Sequence, residues 1–244
     1  MIIAKNIHKY YIEKTTLFSK NKKDVLKGVS FTMEKGKCIG LIGESGSGKS
    51  TLGRIILGIE KPSSGEILLE KDTKISVVFQ DYTSSVNPSY KVEDIIEESL
   101  SAVVKNSKER EKEIINLLDK VGLNETFINR YPHELSGGQL QRVCIARAIA
   151  IKPDFILLDE AVSSLDINVQ VQILDLLKKL KIEDNLSFLF ITHDLMTITY
   201  LCDSVIFFKD GKIVEEVNDV SKLNKIKNDY SKELFNAVKE LEIN

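Results

Sequence analysis

The sequence predicts an α/β fold with a mostly parallel sheet, an antiparallel β layer and a helical insertion. Two apolar runs, residues 38–42 and 155–158, have the composition of strands buried on both faces of a parallel sheet. Helical spacing of apolar residues begins at Val92, which predicts an insertion at about 87–135. Shorter β-like runs separated by turn signals indicate the antiparallel layer, at 2–7, 25–26, 29–33 and 67–69. A chain of 244 residues suits one such domain, spanning 1–244.

Residues 43–50 read Gly-Glu-Ser-Gly-Ser-Gly-Lys-Ser, the pattern of a loop that holds nucleotide phosphates. Its glycines allow a tight turn whose N–H groups point into one concavity, at the positive end of the following helix. The strand-like run before it and the helical spacing after it favour this interpretation over a glycine-rich surface turn. The core is therefore predicted to be that of a P-loop NTPase. The predicted nucleotide-binding residues here are Gly43, Ser45, Gly46, Ser47, Gly48, Lys49, Ser50 and Thr51.

Charge and cysteine content argue against several classes of protein. Lys and Arg total 34 against 36 for Asp and Glu, so the basic excess typical of nucleic-acid binding is missing. No apolar run has the roughly 18 to 20 residues of a membrane span, and no signal-peptide pattern is present, so we expect a soluble chain that can dock on a membrane partner. Three widely spaced cysteines indicate neither a disulfide framework nor a metal site, which suits a reducing cytoplasm.

Two tyrosines follow the first β-like run. Either Tyr10 or Tyr11 could stack on a purine ring, although local sequence alone favours ordinary sheet residues. The lysine-rich residues 20–23 are expected to form a solvated loop. This region therefore offers an aromatic candidate but does not choose between the two.

Polar residues follow three predicted strands. Asp159 suits Mg²⁺, through water or Ser50, and Glu160 suits a general base that polarises the attacking water. Gln80 could bind Mg²⁺ or orient water, but a lone glutamine is usually a capping or surface residue. His193 is more often structural in such a place until a partner is named. The carboxyl ends of these strands are thus the predicted catalytic edge.

A second anion-binding helix start lies at residues 135–139, Leu-Ser-Gly-Gly-Gln. Either the chain binds two ligands, or this start serves the nucleotide of a neighbouring molecule. Together with the insertion, its helix gives a predicted helical subdomain of about 87–150. A hairpin with an Asp-Gly turn at 210–211 and a polar, partly helical tail at 219–244 complete the chain.

The order of these motifs resembles the nucleotide-binding subunit of ATP-binding cassette (ABC) transporters over essentially the whole chain, and Leu-Ser-Gly-Gly-Gln is highly specific to that family. The resemblance implies ATP and Mg²⁺, and two subunits packed head to tail, the signature helix of each capping the γ-phosphate held by the other. It implies catalytic roles for Glu160, His193 and Gln80, and Mg²⁺ ligation by Ser50, Gln80 and Asp159. It also implies nucleotide contacts for Tyr11 (Tyr10 being the other register), Ser136, Gly137, Gly138, Gln139 and Asp166.

Finer features resemble the oligopeptide, dipeptide and nickel importers: an insertion at 11–18, Ser-Val-Asn-Pro at 85–88, Tyr-Pro-His-Glu at 131–134 and the segment 228–234. The Ser-Val-Asn-Pro sequence and the lack of a cysteine-bearing tail favour the nickel or metal-chelate branch. The implied partners are a homologous second ATPase subunit, in a heterodimer or homodimer, two membrane permeases and an extracytoplasmic substrate-binding protein. The implied location is peripheral, on the cytoplasmic face of the membrane. An ABC-type ATPase of DNA repair or chromosome organisation is the alternative, but Ser50 and Ser136 lie too close along the chain for its long coiled coil.

Overall fold

The computed structural model describes residues 1–16 and 19–242, with side chains for 1–12 and 21–237. Leu17 and Phe18, the last two residues of the importer-like insertion at 11–18, lie outside the described residues. The chain forms two compact units, Met1–Asp72 with Ser187–Asn244, and Thr73–Leu186. The limits expected from the sequence, one domain with a helical subdomain at about 87–150 and a tail at 219–244, remain predictions.

The first unit contains a three-stranded antiparallel sheet. Its strands are β1 (Ile2–Thr16), β2 (Ser19–Met33) and β4 (Ser64–Leu69), in the order β2-β1-β4. The expectation of a solvated loop at 20–23 was wrong, because these residues belong to β2 and pair with β1 up to Lys14 opposite Lys20. Backbone pairing across a hairpin outweighs the polar composition of the strand.

The same unit contains a second sheet in which β3 (Cys38–Ile42) pairs in parallel with β7 (Ser187–Thr192) on one side and with β8 (Ser204–Lys209) on the other. Both β3 and β7 are buried along their whole length, which is why their sequences are mostly apolar. The elements of this part are β3 (Cys38–Ile42), α1 (Lys49–Ile56), β7 (Ser187–Thr192), α6 (Leu195–Leu201), β8 (Ser204–Lys209), β9 (Lys212–Val217) and α7 (Asp229–Glu242).

Strands β8 and β9 form the predicted hairpin. They pair antiparallel around Asp210 and Gly211, whose φ angles are 49° and 78°. Positive φ at both central residues defines the turn type that the Asp-Gly pair favours. The hairpin is therefore confirmed.

The second unit pairs β5 (Ile75–Val78) in parallel with β6 (Phe155–Asp159). Its helices are α2 (Val92–Leu100), α3 (Ser107–Lys120), α4 (Gly137–Ile149) and α5 (Ile167–Glu183). Gly122, at φ 75°, follows the end of α3 as a left-handed helix stop. The α/β class, with parallel pairing in the core and a separate antiparallel sheet, is confirmed. Within the part of the chain that is described, no helix is long and apolar enough to cross a membrane.

Candidate nucleotide-binding and catalytic residues

The phosphate loop is a glycine-dependent turn between β3 and α1. Gly46 and Gly48 have φ angles of 78° and 109°, which other residues rarely adopt. A Cβ at Gly43 would lie 2.0 Å from the carbonyl oxygen of Phe208. A Cβ at Gly46 would meet no atom within 4 Å. Gly46 and Gly48 are therefore needed for backbone shape, and Gly43 is needed for packing against β8.

Two polar side chains of this loop are buried. Lys49 is 5% exposed, and its ammonium donates hydrogen bonds to the carbonyl oxygens of Gly43 at 2.7 Å and Glu44 at 2.8 Å. The buried hydroxyl oxygen of Ser47 has no hydrogen-bond partner among the described residues. Because an unsatisfied buried hydroxyl is costly, this group fits a ligand that brings an acceptor. An ammonium, a hydroxyl and the start of α1 together suit an anionic phosphate.

The other predicted loop residues divide by exposure. The exposed ones are Ser45, Gly46 and Ser50, and the buried ones are Gly43, Gly48 and Thr51. The exposed hydroxyl of Ser50 lies in the first turn of α1, one position after Lys49.

Tyr11 belongs to a network that leads to the first turn of α1. Its hydroxyl donates to the carboxylate of Glu60 at 2.7 Å. Glu60 also accepts from Arg54 at 3.3 Å, and Arg54 donates to the hydroxyl of Thr51 at 3.1 Å. Lys9 adds an ion pair to Glu60 at 2.9 Å. The network therefore connects the aromatic candidate to the helix that follows the phosphate loop.

Charge compensation stabilises this network. Burial acts to raise the pKa of Glu60, but hydrogen bonds from Lys9, Tyr11 and Arg54 together lower it. The hydrogen bond with Tyr11 is the largest cause that raises the pKa of Arg54. Tyr10, in contrast, is 40% exposed, and its ring contacts a lysine of β2. Of the two tyrosines, Tyr11 is the one joined to α1.

His193 lies between β7 and α6 with an exposed side chain. The turn around it is held on both sides by Asp194. The backbone N–H of Asp194 donates to the hydroxyl oxygen of Thr192 at 3.1 Å, and its carboxylate accepts from the N–H of Met196 at 2.8 Å. The imidazole is therefore presented at the carboxyl end of β7.

In the second unit, Gln80 and Glu160 contact each other directly. The carboxamide of Gln80 donates to the carboxylate of Glu160 at 3.1 Å. Parallel pairing of β5 with β6 brings the ends of both strands to one edge. Glu160 has a φ of 48°, a conformation that costs a residue with a side chain on the order of 1 kcal/mol or more. Asp159, the last residue of β6, is partly buried beside it.

The signature segment, residues 135–139, begins α4 with a capping box. The hydroxyl of Ser136 accepts from the N–H of Gln139 at 3.3 Å. In return, the side-chain oxygen of Gln139 accepts from the N–H of Ser136 at 2.9 Å. This reciprocal pair fixes the first turn of α4 and satisfies two N–H groups at that end.

Close packing explains both glycines of the signature. A Cβ at Gly137 would lie 2.7 Å from the hydroxyl of Tyr82, and one at Gly138 would lie 2.4 Å from Cγ1 of Val169. Val169 also donates its N–H to the carboxylate of Asp166 at 3.0 Å, which caps the start of α5. Asp166 thus positions the helix whose first turn packs on the signature.

Sequence reasoning missed the partners of several predicted residues. Glu60 and Arg54 hold Tyr11, and Val169 packs on Gly138. No local signal marks Glu60 or Val169, since each acts only through a contact made by the folded chain. Arg54 lies on α1, just after the phosphate loop, so its closeness to that motif was the one signal that could have marked it.

A glycine nest with a buried lysine at a helix start defines a P-loop nucleotide-binding protein. The sequence profile described as "ABC transporter" matches residues 26–163, and the chain belongs to that family. The predicted membership of the ABC family and the predicted ATPase activity are thereby confirmed.

Relatives and solved structures agree with this assignment. The chain is 47% identical to the "Metal-staphylopine import system ATP-binding protein CntF" of Staphylococcus aureus (strain NCTC 8325 / PS 47), covering 96% of this chain and 98% of the relative. It is 39% identical to the "Dipeptide transport ATP-binding protein DppF" of Haemophilus influenzae, covering 100% and 80%. The ATP-binding cassette MJ0796, in a dimeric post-hydrolysis state bound to ADP and Pi, superposes with a TM-score of 0.77 at 33% identity, covering 88% and 97%. These matches give no support to the DNA-repair alternative.

Proposed function

We propose that this chain hydrolyses ATP to drive an importer of metal chelates, with small peptides as the second cargo class. The supporting observation is the 47% identity to a metal-staphylopine import protein, against 39% to a dipeptide transport protein. Both relatives are named as ATP-binding proteins of transport systems, so the ATPase role is common to the two cargo classes. The higher identity favours the chelate.

In the proposed reaction, water attacks the γ-phosphorus of ATP while the bond to the bridging oxygen breaks, releasing ADP and inorganic phosphate. Glu160 polarises this water and receives its proton. The hydrogen bond from Gln80 orients the Glu160 carboxylate. Lys49 holds the phosphates in the ground and transition states alike, and His193 contacts the γ-phosphate.

Mg²⁺ belongs to the same proposal, as the cation that neutralises charge on the bound phosphates. The chain offers hydroxyl, carboxamide and carboxylate oxygens of the type that Mg²⁺ prefers. Ser50, Gln80 and Asp159 remain the predicted ligands.

The signature residues Ser136 to Gln139 are proposed to cap ATP held by a homologous second subunit, with Asp166 in the loop that crosses the dimer and Tyr11 stacked on adenine. That subunit completes either a heterodimer or a homodimer. Two permeases and an extracytoplasmic binding protein would complete the system, with this chain on the cytoplasmic face of the membrane. The nearly balanced charge supports the expectation of no nucleic-acid partner.

Uptake in a strain lacking this gene tests the cargo. We expect the strain to lose accumulation of radioactive nickel supplied with staphylopine, and to keep uptake of a labelled dipeptide. The wild-type gene should restore metal uptake, and the Glu160→Gln gene should not, because it lacks the proposed base. Loss of dipeptide uptake alone would assign the chain to peptides, and loss of neither would refute the importer.

A further inference from the structure

The phosphate loop is hydrogen-bonded to a tyrosine from the far end of the chain. The N–H of Glu44, the second residue of the loop, donates to the hydroxyl oxygen of Tyr230 at 3.0 Å. Tyr230 lies in the first turn of α7, 186 positions away in sequence. The nucleotide-binding roles given above do not include it.

Tyr230 is held firmly enough to act as a fixed point. Its side chain is only 7% exposed, and the ammonium of Lys209 lies 4.4 Å from the centre of its ring. Burial is the largest cause that raises the pKa of the Tyr230 phenol, so the hydroxyl stays neutral at physiological pH. A neutral hydroxyl is a suitable acceptor for a backbone N–H.

The start of α7 is itself anchored to β9. The carboxylate of Glu215 accepts from the N–H groups of Lys227 at 2.7 Å and Asn228 at 3.2 Å. Asn228 then accepts from the N–H of Tyr230 at 3.0 Å through its side chain. Each bond fixes the backbone immediately before or at Tyr230. The fold therefore determines the position of the phenol.

The same C-terminal region contacts the loop at other points. The N–H of Gly211 donates to the carbonyl oxygen of Ser47 at 3.0 Å. The carbonyl oxygen of Phe208 occupies the place that a Cβ of Gly43 would need. The β8–β9 hairpin therefore supports the loop at Gly43 and Ser47, and Tyr230 supports it between them, at Glu44.

We propose that Tyr230 is a positioning residue for the phosphate loop: its hydroxyl fixes the N–H of Glu44 and so preorganises the loop for ATP. This proposal rests on the phosphate-binding role proposed for residues 43–50. Preorganisation acts on binding because an ordered loop pays less entropy when the nucleotide arrives. The interaction is the same in ground and transition states, so it changes ATP affinity and not turnover at saturation.

The test is a titration of the purified full chain with a fluorescent ATP analogue. Tyr230→Phe keeps the ring and removes the hydroxyl, and should weaken affinity about three- to tenfold, as expected for one ordinary hydrogen bond. Ser231→Ala is the matched control, because the adjacent Ser231 hydroxyl is buried and has no hydrogen-bond partner among the described residues. Its affinity should stay within about twofold of wild type.

A second background isolates the bond. Glu44→Pro removes the N–H donor, so Tyr230→Phe should add no further loss of affinity in that variant. A lower melting temperature with unchanged affinity in Tyr230→Phe, or an equal loss in both backgrounds, would overturn the positioning role. Lys49→Ala separates the two proposals. Retained affinity in Lys49→Ala would refute the loop's phosphate role and this one with it, whereas loss there with unchanged affinity in Tyr230→Phe refutes the positioning role alone.

Discussion

Two helix starts in this protein resemble each other in sequence and differ in construction. Helix α1 begins after Gly48, which has no side chain to cap it. Helix α4 begins after Ser136, whose hydroxyl already accepts from the N–H of Gln139. The first start therefore leaves its N–H groups without a side-chain cap, whereas the second has the N–H groups of Ser136 and Gln139 already satisfied by a capping box.

Their glycines differ in the same way. Gly46 and Gly48 have left-handed φ angles, so they are needed for backbone shape. Gly137 and Gly138 lie in helical conformation within α4, and a Cβ on either would overlap a neighbouring side chain. Glycines at a helix start can thus be required by backbone shape or by close packing, and the sequence pattern alone does not separate the two causes.

The largest expected effect comes from stopping the chemistry while leaving both helix starts intact. Glu160→Gln removes the proposed base and should lower the hydrolysis rate by about 10² to 10⁴. If the signature start caps a neighbour's ATP, the mutant should accumulate an ATP-bound dimer with its co-expressed partner subunit. Phosphate release measures the loss of hydrolysis. Light scattering with Mg-free ATP measures formation of the dimer. No nucleotide-dependent dimer, alone or with the partner, would refute the shared cap.

A smaller effect distinguishes the two starts in the isolated subunit. Lys49→Ala should weaken ATP binding about 10- to 100-fold, since hydrogen bonds from a charged group are lost. Ser136→Ala should cost about 1 kcal/mol of stability through the lost cap and leave ATP affinity unchanged. Nucleotide titration and chemical denaturation of both variants provide the measurement. Equal loss of affinity in the two would mean that the signature start binds the chain's own nucleotide.

A further effect concerns the glycines and is expected in stability alone. Gly138→Ala should destabilise the protein by about 1–3 kcal/mol, because the new methyl group overlaps Val169. Gly46→Ala should cost about 1 kcal/mol through its left-handed backbone alone, since its Cβ faces open space. Adding Val169→Ala should recover part of the loss in the first and none in the second. Thermal melting checks this, and equal behaviour of the pairs would contradict the packing explanation.

Short-range patterns predicted the elements that depend on neighbouring residues. The Asp-Gly turn specified the β8–β9 hairpin, and continuous apolar runs specified β3 and β6. The lysine-rich residues 20–23 were misjudged, because a strand in a two-stranded extension needs no apolar face when its backbone pairs with β1. Both Tyr10 and Tyr11 occupy β1, and only the structure shows that Tyr11 is the one hydrogen-bonded to Glu60.

The sequence by itself determined the chemistry available to this protein: a phosphate loop with its lysine, a signature helix start, and acids at the end of an apolar strand. Tertiary structure decided which of these groups meet. Gln80 reaches Glu160, Tyr230 reaches Glu44, and the sulfur atoms of Cys38 and Cys202 lie 3.2 Å apart, although each pair is far separated along the chain. Such contacts depend on strand pairing and helix anchoring across the whole fold, because hydrogen-bond distances tolerate errors of only a few tenths of an ångström and no local pattern encodes them.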